Sequence, residues 1–467
     1  MNTEDEDILY CRLQLEPDTE YFLYIGELKS DCLNQFLREA LGRKFGRKFD
    51  VISIIPDVLS SYPVQNILVL NPESRKLSAA AGHHVNVRPS PRAFASQVSS
   101  SSRVQALVQD LLHRQDRLFV HVYEAVPELT LSTLPGVKLL GPDPEIAELW
   151  NNKLHQLQTL QQTPVPVIDF RICASKQELL RTAKQLWQHW PQGMFISQPY
   201  SAAGMNSFLA FCQKELKQRA LPEDCSYLIS KYVPHEHDPT VLGVVANQDE
   251  VYIALVADQD IQEGNKFKGS SFPSSLPQSM QEELKEQSRQ IGSFLGQSGY
   301  RGIFGCDFLV DHQDQIHFVE VNARKQGTTM EMCCTLENLL PQEAPNLLEL
   351  ELHAVLNGEL PQGTRELKDL PRHLSWRTYN YKIESRARVK EGIQQEQQER
   401  ELFRQVASGQ LEQGLLVLEH LGQGLQAEPG TFLARLAAVC NRKELLQQAI
   451  ARGKQDIQNS IQNLEDE

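Results

Sequence analysis

The sequence predicts a mixed chain, α/β in its first part and α+β in its body, followed by a helical C-terminal extension. Three observations predict this. Residues 8–70 alternate strand-like runs with a helical stretch; residues 226–322 carry successive strands of antiparallel character; and 390–467 is rich in Gln, Glu and Leu at helical spacing.

In the first part, Tyr21-Phe22-Leu23-Tyr24-Ile25, Val51-Ile52-Ser53-Ile54-Ile55 and Asn66-Ile67-Leu68-Val69-Leu70 read as strands, with a helix from Asp31 to Leu41 between the first two. That βαβ rhythm implies a parallel sheet. A polar stretch with Ser99-Ser100-Ser101-Ser102 near its end reads as a loop. The spacing of Val104, Leu107, Val108, Leu111 and Leu112 predicts a helix over 103–115, and 118–123 is a buried-type strand. The first domain ends near Gly141-Pro142. From 143 one helix carries Asn151-Asn152-Lys153 to about 162, where Thr163-Pro164-Val165-Pro166 stops it. Helices at about 176–190 and 207–219 flank the strand Met194-Phe195-Ile196-Ser197-Gln198. Strands follow at 226–233, 240–247 and 250–257, then a helix at 279–297, a strand pair over 302–322 and a helix at 345–358. The tail is either a structural appendage or an element for oligomerisation or partner docking. Its run 391–400 is too polar to hold as an isolated helix.

At 467 residues, about three domains are expected. The chain has 46 Lys and Arg against 60 Asp and Glu, and its net charge of −14 disfavours the basic field that nucleic acid or anionic lipid attracts. The densest apolar stretch, 251–257, falls far short of the roughly 20 residues that cross a bilayer. The N-terminus is acidic where a secretion signal is basic and then apolar. A soluble cytoplasmic protein is expected. Nine cysteines, an odd count with no C-x-x-C, point to reduced thiols. The pair Cys333-Cys334 sits in an apolar context with no neighbouring base, so no redox role is assigned to it.

The most informative stretch is 302–324. Two apolar runs flank the polar centre His312-Gln313-Asp314-Gln315, which is a hairpin signal. With Asp311 opposite Ile316, Asp307 lies opposite Glu320, and the period of two puts Glu320, Asn322 and Arg324 on the Asp307 face. Phe308, Val310, Val319 and Val321 make the other face apolar. Two carboxylates, an amide oxygen and a guanidinium gathered on one side of a covered sheet need partners. Hard oxygen donors favour Mg²⁺, which binds through a few carboxylates together with substrate phosphates. Arg324 is then placed to neutralise a transferring phosphoryl group. The alternative is a buried Arg324–Glu320 ion pair on an ordinary hairpin.

On these residues the sequence resembles the ATP-grasp enzymes of the carboxylate–amine ligase type, over roughly residues 140–358. The family signature is an acidic residue on one strand, then Glu-x-Asn and a nearby Arg, here Asp307, Glu320, Asn322 and Arg324. The resemblance implies a pre-ATP-grasp α/β domain over 1–140 and a two-lobed ATP-grasp fold, with lobes at 141–228 and 229–360. The helical extension then occupies 361–467. It further implies that Asp307, Glu320 and Asn322 hold two Mg²⁺ ions, with Mn²⁺ as a substitute, bridging the phosphates of ATP. Arg324 would steady the phosphoryl or acyl-phosphate group, and Arg324, Glu320 and Asn322 form the catalytic set.

Further implied contacts fall in the family's order. Lys153, in Asn151-Asn152-Lys153, would meet the α-phosphate, a role suited to an ammonium point charge. The strand ending in Gln198 and the small-residue loop 201–207, with Gly204, would lie over the phosphates. Many members carry Lys where this chain has Gln198, so Lys266, Lys268 or Arg301 would supply the missing charge. In Leu228-Ile229-Ser230-Lys231-Tyr232-Val233-Pro234, backbone groups near Lys231 and Val233 would read the adenine edge, and Asp238 or Glu236 would take the ribose hydroxyls. His235-Glu236-His237-Asp238 lacks a second ligand pair at zinc spacing and reads as a polar loop. His83-His84 is uninformative.

The implied chemistry is ATP-dependent ligation: a carboxylate becomes an acyl phosphate, and an amine displaces phosphate to give an amide or peptide bond. The partners are then a small-molecule carboxylate and amine, with no nucleic acid and no membrane. The C-terminal helices are the candidate homo-oligomer contact. The acid pocket would draw on the first domain and on Gly327-Thr328-Thr329. The alternative is a nucleotide-binding regulatory module with weak or no turnover, motivated by Gln198 and the tail. Thioester formation or carboxylation ranks last, since nothing resembles a biotin or coenzyme A site.

Overall fold

The apolar runs of the first part form β1 (Ile8–Arg12), β2 (Glu20–Ile25), β3 (Phe49–Ile55), β4 (Ile67–Leu70), β5 (His84–Val85), β6 (Leu118–Val122) and β7 (Val137–Leu140). The computed structural model describes residues 8–62, 64–71, 84–85, 89–200, 206–262, 264–367, 373–391 and 399–464. Six of these strands make one sheet in the order β1-β4-β3-β2-β6-β7, parallel except for the edge strand β1. Such a sheet must be covered on both faces. Helix Leu33–Phe45 buries Phe36, Leu37 and Leu41 on one side, and helices Pro91–Ser100 and Ser102–Arg114 bury Phe94, Val98, Val104 and Leu111 on the other. From β2 the chain winds one way through β3, and β6 lies on its other side. The carboxyl ends of β2 and β6 therefore flank the crevice where an open α/β sheet offers a ligand site.

Next come β8 (Phe170–Cys173), β9 (Met194–Ser197), β10 (Ser207–Ala210) and β11 (Tyr227–Lys231), an antiparallel sheet ordered β10-β9-β11-β8. Helices Lys176–Leu186 and Gln213–Gln218 back it through Leu179, Ala183 and Leu216. The helix expected over 207–219 is therefore shorter, because Ser207-Phe208-Leu209-Ala210 pairs with β9 instead. The body continues with β12 (His235–His237), β13 (Pro239–Val245), β14 (Val251–Gln262), β15 (Lys266–Phe272), β16 (Gly302–Asp311) and β17 (Ile316–Asn322). Helix Gln278–Gln297 packs on one face of these strands through Leu284, Ile291 and Leu295. Helices Thr329–Leu339 and Leu347–Asn357 cover the other.

The C-terminal part corrects an expectation. In place of a helical extension, residues 375–464 form β18 (Ser375–Lys382), β19 (Ala387–Val389), β20 (Gln413–Glu419), β21 (Leu425–Ala427), β22 (Phe432–Cys440) and β23 (Ile461–Asn463). Two helices, Glu399–Ala407 and Leu445–Asn459, accompany them. The run Leu433-Ala434-Arg435-Leu436-Ala437-Ala438 has helix-forming composition, yet it is the strand between β18 and β20. Neighbours on both edges override its local preference. Helix Leu445–Asn459 lays Leu446, Ala449, Ile450 and Ile457 into this unit's core.

Backbone pairing joins this unit to the body. Ser271 pairs with Arg377 and Phe272 with Trp376, giving a nine-stranded sheet in the order β12-β16-β13-β14-β15-β18-β22-β20 with β17 on β16. Phe272 and Trp376 stack at 5.9 Å across the seam. Gly269 is required there, because a Cβ would meet the Thr378 carbonyl oxygen at 2.1 Å. Among the described residues no helix is long and apolar enough to cross a membrane.

Candidate functional site

The hairpin β16–β17 turns at Asp311, whose Oδ1 accepts from the N–H of Gln313 at 2.9 Å and of Gln315 at 3.0 Å. Asp314 takes the left-handed conformation at φ 59°. At the tip Val310, not Asp311, pairs with Ile316, one residue off the expected register. A bulge between Asp307 and Phe308 on this ladder absorbs the difference. Beyond it Asp307 faces Glu320 and Gly305 faces Asn322. The bulge also moves Val319 off the apolar face where it was expected: it is 36% exposed and lines a cavity.

That cavity has a volume of about 960 Å³ and runs between the four-stranded sheet, the hairpin, the first domain and the C-terminal unit. Asp307, Glu320, Asn322 and Arg324 all line it. Asp307 accepts Asn322 Nδ2 at 2.9 Å on one oxygen and Gln326 Nε2 at 3.2 Å on the other. Thr240 in turn donates to the Gln326 amide oxygen at 3.2 Å. Burial pushes the Asp307 carboxyl up to about 6, and the Glu320 charge adds to the rise. Gly305 makes this arrangement feasible, since the Gln326 amide occupies the space of its missing Cβ.

Arg324 is half-buried, 3.8 Å from the Glu124 carboxylate, and donates to the Lys325 carbonyl at 3.1 Å. Burial pulls its pKa down, but Glu124, Tyr123, Glu320 and Asp307 together outweigh that and hold it above the ordinary value.

Lys153 forms an ion pair with Glu320 in the cavity wall. It gets there because the expected continuous helix over 143–162 is broken. Asn152 ends helix Pro144–Asn151 and caps helix Lys153–Leu160, accepting from Leu154 N–H at 3.0 Å and His155 N–H at 3.4 Å. Lys153 thus opens the second helix, its own N–H bound to the Pro199 carbonyl at 2.9 Å.

On the opposite wall, Phe195 and Ser197 of β9 and Leu228 and Ser230 of β11 line the cavity. Gln198 does not. It follows Ser197 and so falls on the face of Met194, Ile196 and Tyr227, where its side chain hydrogen-bonds Tyr227. Lys268 is likewise absent from the lining and sits near Lys454, whereas Phe267 beside it faces the cavity. Arg301 lies against Gly358, and Gly204 lies outside the described residues.

Lys231, Val233 and Asp238 line the far end. Lys231 N–H is bound to the Asp169 carbonyl at 2.9 Å. The His235 ring spans the Val233 carbonyl at 2.8 Å and the Asp238 carboxylate at 3.0 Å, and its pKa is raised by Asp238 against the pull of burial. Glu236 instead bonds His312 at 2.8 Å.

Sequence reasoning missed Thr240 and Gln326, which orient Asp307; the signal was a glycine, Gly305, in the middle of a strand. It also missed the hydroxyls of Ser197 and Ser270, which, with that of Thr328 from the expected acid-pocket stretch, line the cavity buried and without a hydrogen-bond partner among the described residues. Buried polar atoms without partners are costly in a finished core and ordinary where a polar ligand binds.

Among the described residues no group of three His, Cys, Asp or Glu side chains is gathered as a metal site. Asp307, Glu320 and Asn322 nevertheless offer hard oxygen donors on one wall. They fit a Mg²⁺ ion whose remaining ligands come from phosphates or water.

Residues 150–328 match the family model of the ATP-grasp domain, a span that contains Lys153, the four-stranded sheet and the hairpin. A butirosin acyl-carrier protein L-glutamate ligase of Niallia circulans is 22% identical over 257 residues, 53% of this chain and 61% of that one. An L-propargylglycine L-glutamate ligase of Streptantibioticus cattleyicolor is 32% identical over 89 residues, 19% of this chain and 18% of its own. The chain thus spans less than two thirds of the curated relatives it matches. Among solved structures, biotin carboxylase of Campylobacter jejuni superposes with a TM-score of 0.61 at 14% identity, over 95% of this chain and 92% of that one. N5-carboxyaminoimidazole synthase of Aspergillus clavatus gives 0.55 at 15% identity, over 95% and 100%. The fold is the ATP-grasp fold.

Proposed function

We propose that this chain, built around an ATP-grasp domain, is an ADP-forming ligase that activates a small carboxylate for attack by an amine. The observation that carries the reading is the convergence of Asp307, Glu320, Asn322, Arg324 and Lys153 on one cavity. The names of the two relatives, both L-glutamate ligases, support the same class of reaction.

The nucleotide lies with its base toward Lys231 and Val233, its ribose near Asp238 and its phosphates between Lys153 and the hairpin. Asp307, Glu320 and Asn322 would hold Mg²⁺, which when bound would supply charge neutralisation on the phosphates. A carboxylate oxygen of the acid attacks the γ-phosphorus, ADP leaves, and the acyl phosphate forms. The amine nitrogen then displaces phosphate, losing its proton as the amide bond closes. The protein's work is positioning and charge. Arg324 steadies the transferring group, and Lys153 exchanges Glu320 for a phosphate oxygen, releasing that carboxylate to act as a ligand. The thin charge on the β9 wall favours the second reading, a nucleotide-binding module without turnover, because Gln198 contributes nothing there.

The discriminating experiment measures ADP and phosphate release with pooled acids and amines, and traps acyl phosphate with hydroxylamine. Acid-dependent, Mg²⁺-dependent ADP with hydroxamate formation is expected. Tight ATP binding with no release for any pair would favour the module.

A further inference from the structure

Arg324 divides the cavity. Toward the hairpin it faces Glu320 and Asp307; away from it the cavity continues along the carboxyl ends of β2 and β6, at the crevice of the first sheet. This second half has a built wall. Lys29, just past β2, stands 5.7 Å from the Tyr123 ring and 5.8 Å from the Phe432 ring, with Glu27 at 2.7 Å. Arg435 of β22 reaches the same space from the C-terminal unit, 5% exposed and anchored from behind by buried Glu331 and, at 3.6 Å, Glu399. Burial holds the Lys29 ammonium below its ordinary pKa, opposed by Tyr123 and Asp57, and the nearby charges of Arg435 and Arg324 lower it further. Opposite them helix Thr329–Leu339 begins, so its positive end is turned to the cavity where Gly327, Thr328 and Met330 line it. Thr328 is 2% exposed, and its hydroxyl, buried in that lining, has no partner among the described residues.

Each cation has a carboxylate, Lys29 with Glu27, Arg324 with Glu124 and Arg435 with Glu331 and Glu399, but the buried Thr328 hydroxyl at the helix N-terminus beside them has no partner among the described residues, and an anionic group entering there would supply one. Arg324 already serves the reacting group. We infer that Lys29, Arg435 and Thr328 form a subsite for a second anionic group on the acid substrate, so that the enzyme takes acids with a carboxylate or phosphonate at the end remote from the one activated. This rests on the ligase reading and names its substrate class. The subsite is assembled from the first domain, the body and the C-terminal unit together, which gives the C-terminal unit a direct part in recognition.

The test compares succinate and glutarate, their half-amides, and 3-phosphonopropionate as acids in ADP release with hydroxylamine as acceptor. It also measures binding of each acid by calorimetry without nucleotide. The dianionic acids should exceed the half-amides by about tenfold or more in kcat/KM, as charge-assisted bonds do. A preference for the phosphonate over the dicarboxylates, or the reverse, identifies which anion the subsite takes. Removing Arg435 would strand Glu331 and Glu399, so Lys29→Gln and Thr328→Val are the informative variants. Each should raise KM for the dianionic acid several-fold, leave KM for ATP unchanged and shrink the preference over the half-amide. Equal use of half-amides and dianions, or variants that keep the wild-type preference, would overturn the subsite while the ligase stands. Acid binding by calorimetry that shows the same charge preference, with no ADP from any acid, would instead overturn the ligase reading alone.

Discussion

The hairpin β16–β17 and the strand β9 face each other across the same cavity, yet they contribute to it differently. The hairpin turns Asp307, Glu320 and Asn322 inward, with Arg324 just past its end. On β9, Phe195 and Ser197 line the cavity while the amide of Gln198 is directed to Tyr227 on the other face. Both strands obey the same alternation. The difference shows that a polar residue next to a site belongs to it only if its parity agrees, and that of these two strands the hairpin carries the charge.

The strongest way to break this comparison is to neutralise the charged wall. Glu320→Gln and Asn322→Ala should each lower acid-dependent ADP release by roughly 10²–10³-fold, in the range seen when a group stabilising transition-state charge is lost. The melting temperature of Glu320→Gln should barely move, since Glu320 is partly exposed, whereas Asn322→Ala removes a donor to Asp307 and should lower it by a few degrees. Near-normal turnover in either variant would show that the oxygen donors have another role. Lys153→Met comes next. It removes a phosphate contact and the partner of Glu320, and KM for ATP should rise about 10-fold or more with a smaller change in kcat. An unchanged KM would detach Lys153 from the nucleotide.

A finer contrast sets Asp307 beside Asp31. Burial raises both carboxyls to about 6, but Asp31 is absent from the cavity lining and is held by Asn34 at 3.0 Å and by Ser53. A carboxyl that ionises near 4 when unfolded and near 6 when folded gives the folded state more bound protons between those values, so stability falls as pH rises through that window. Two units correspond to about 3 kcal/mol at most. Asp31→Asn should remove that part of the slope in urea unfolding between pH 4 and pH 7. Identical slopes in the variant and the parent would contradict the burial argument. The smallest effect belongs to the quiet wall: Gln198→Ala should change kcat/KM for ATP by less than about threefold, and a larger loss would bring β9 back into the site.

Much of the hairpin was legible because turn residues and a period of two are local signals, and Asp307 opposite Glu320 followed from them. The bulge at Val319 was not, because an extra residue in one strand leaves no compositional mark when it is itself apolar. The break at Asn152 had a readable cue, a good capping residue inside a helical run, that the neighbouring apolar spacing obscured. Gln198 was placed by motif where strand parity would have turned it away. The C-terminal strands were illegible for a different reason: Ala434, Ala437 and Ala438 become strand only between β18 and β20, and that pairing is nonlocal.

The ladder from β15 into β18 also limits how the protein can breathe. Prising the C-terminal unit from the body would cut a sheet and separate Phe272 from Trp376. Among the described residues the four-stranded sheet β10-β9-β11-β8 shares no ladder with the nine-stranded one; it meets its surroundings through bonds such as Asn265 to the Ser207 carbonyl at 2.9 Å. This smaller sheet is therefore the jaw freer to move, against an anvil that includes the C-terminal unit.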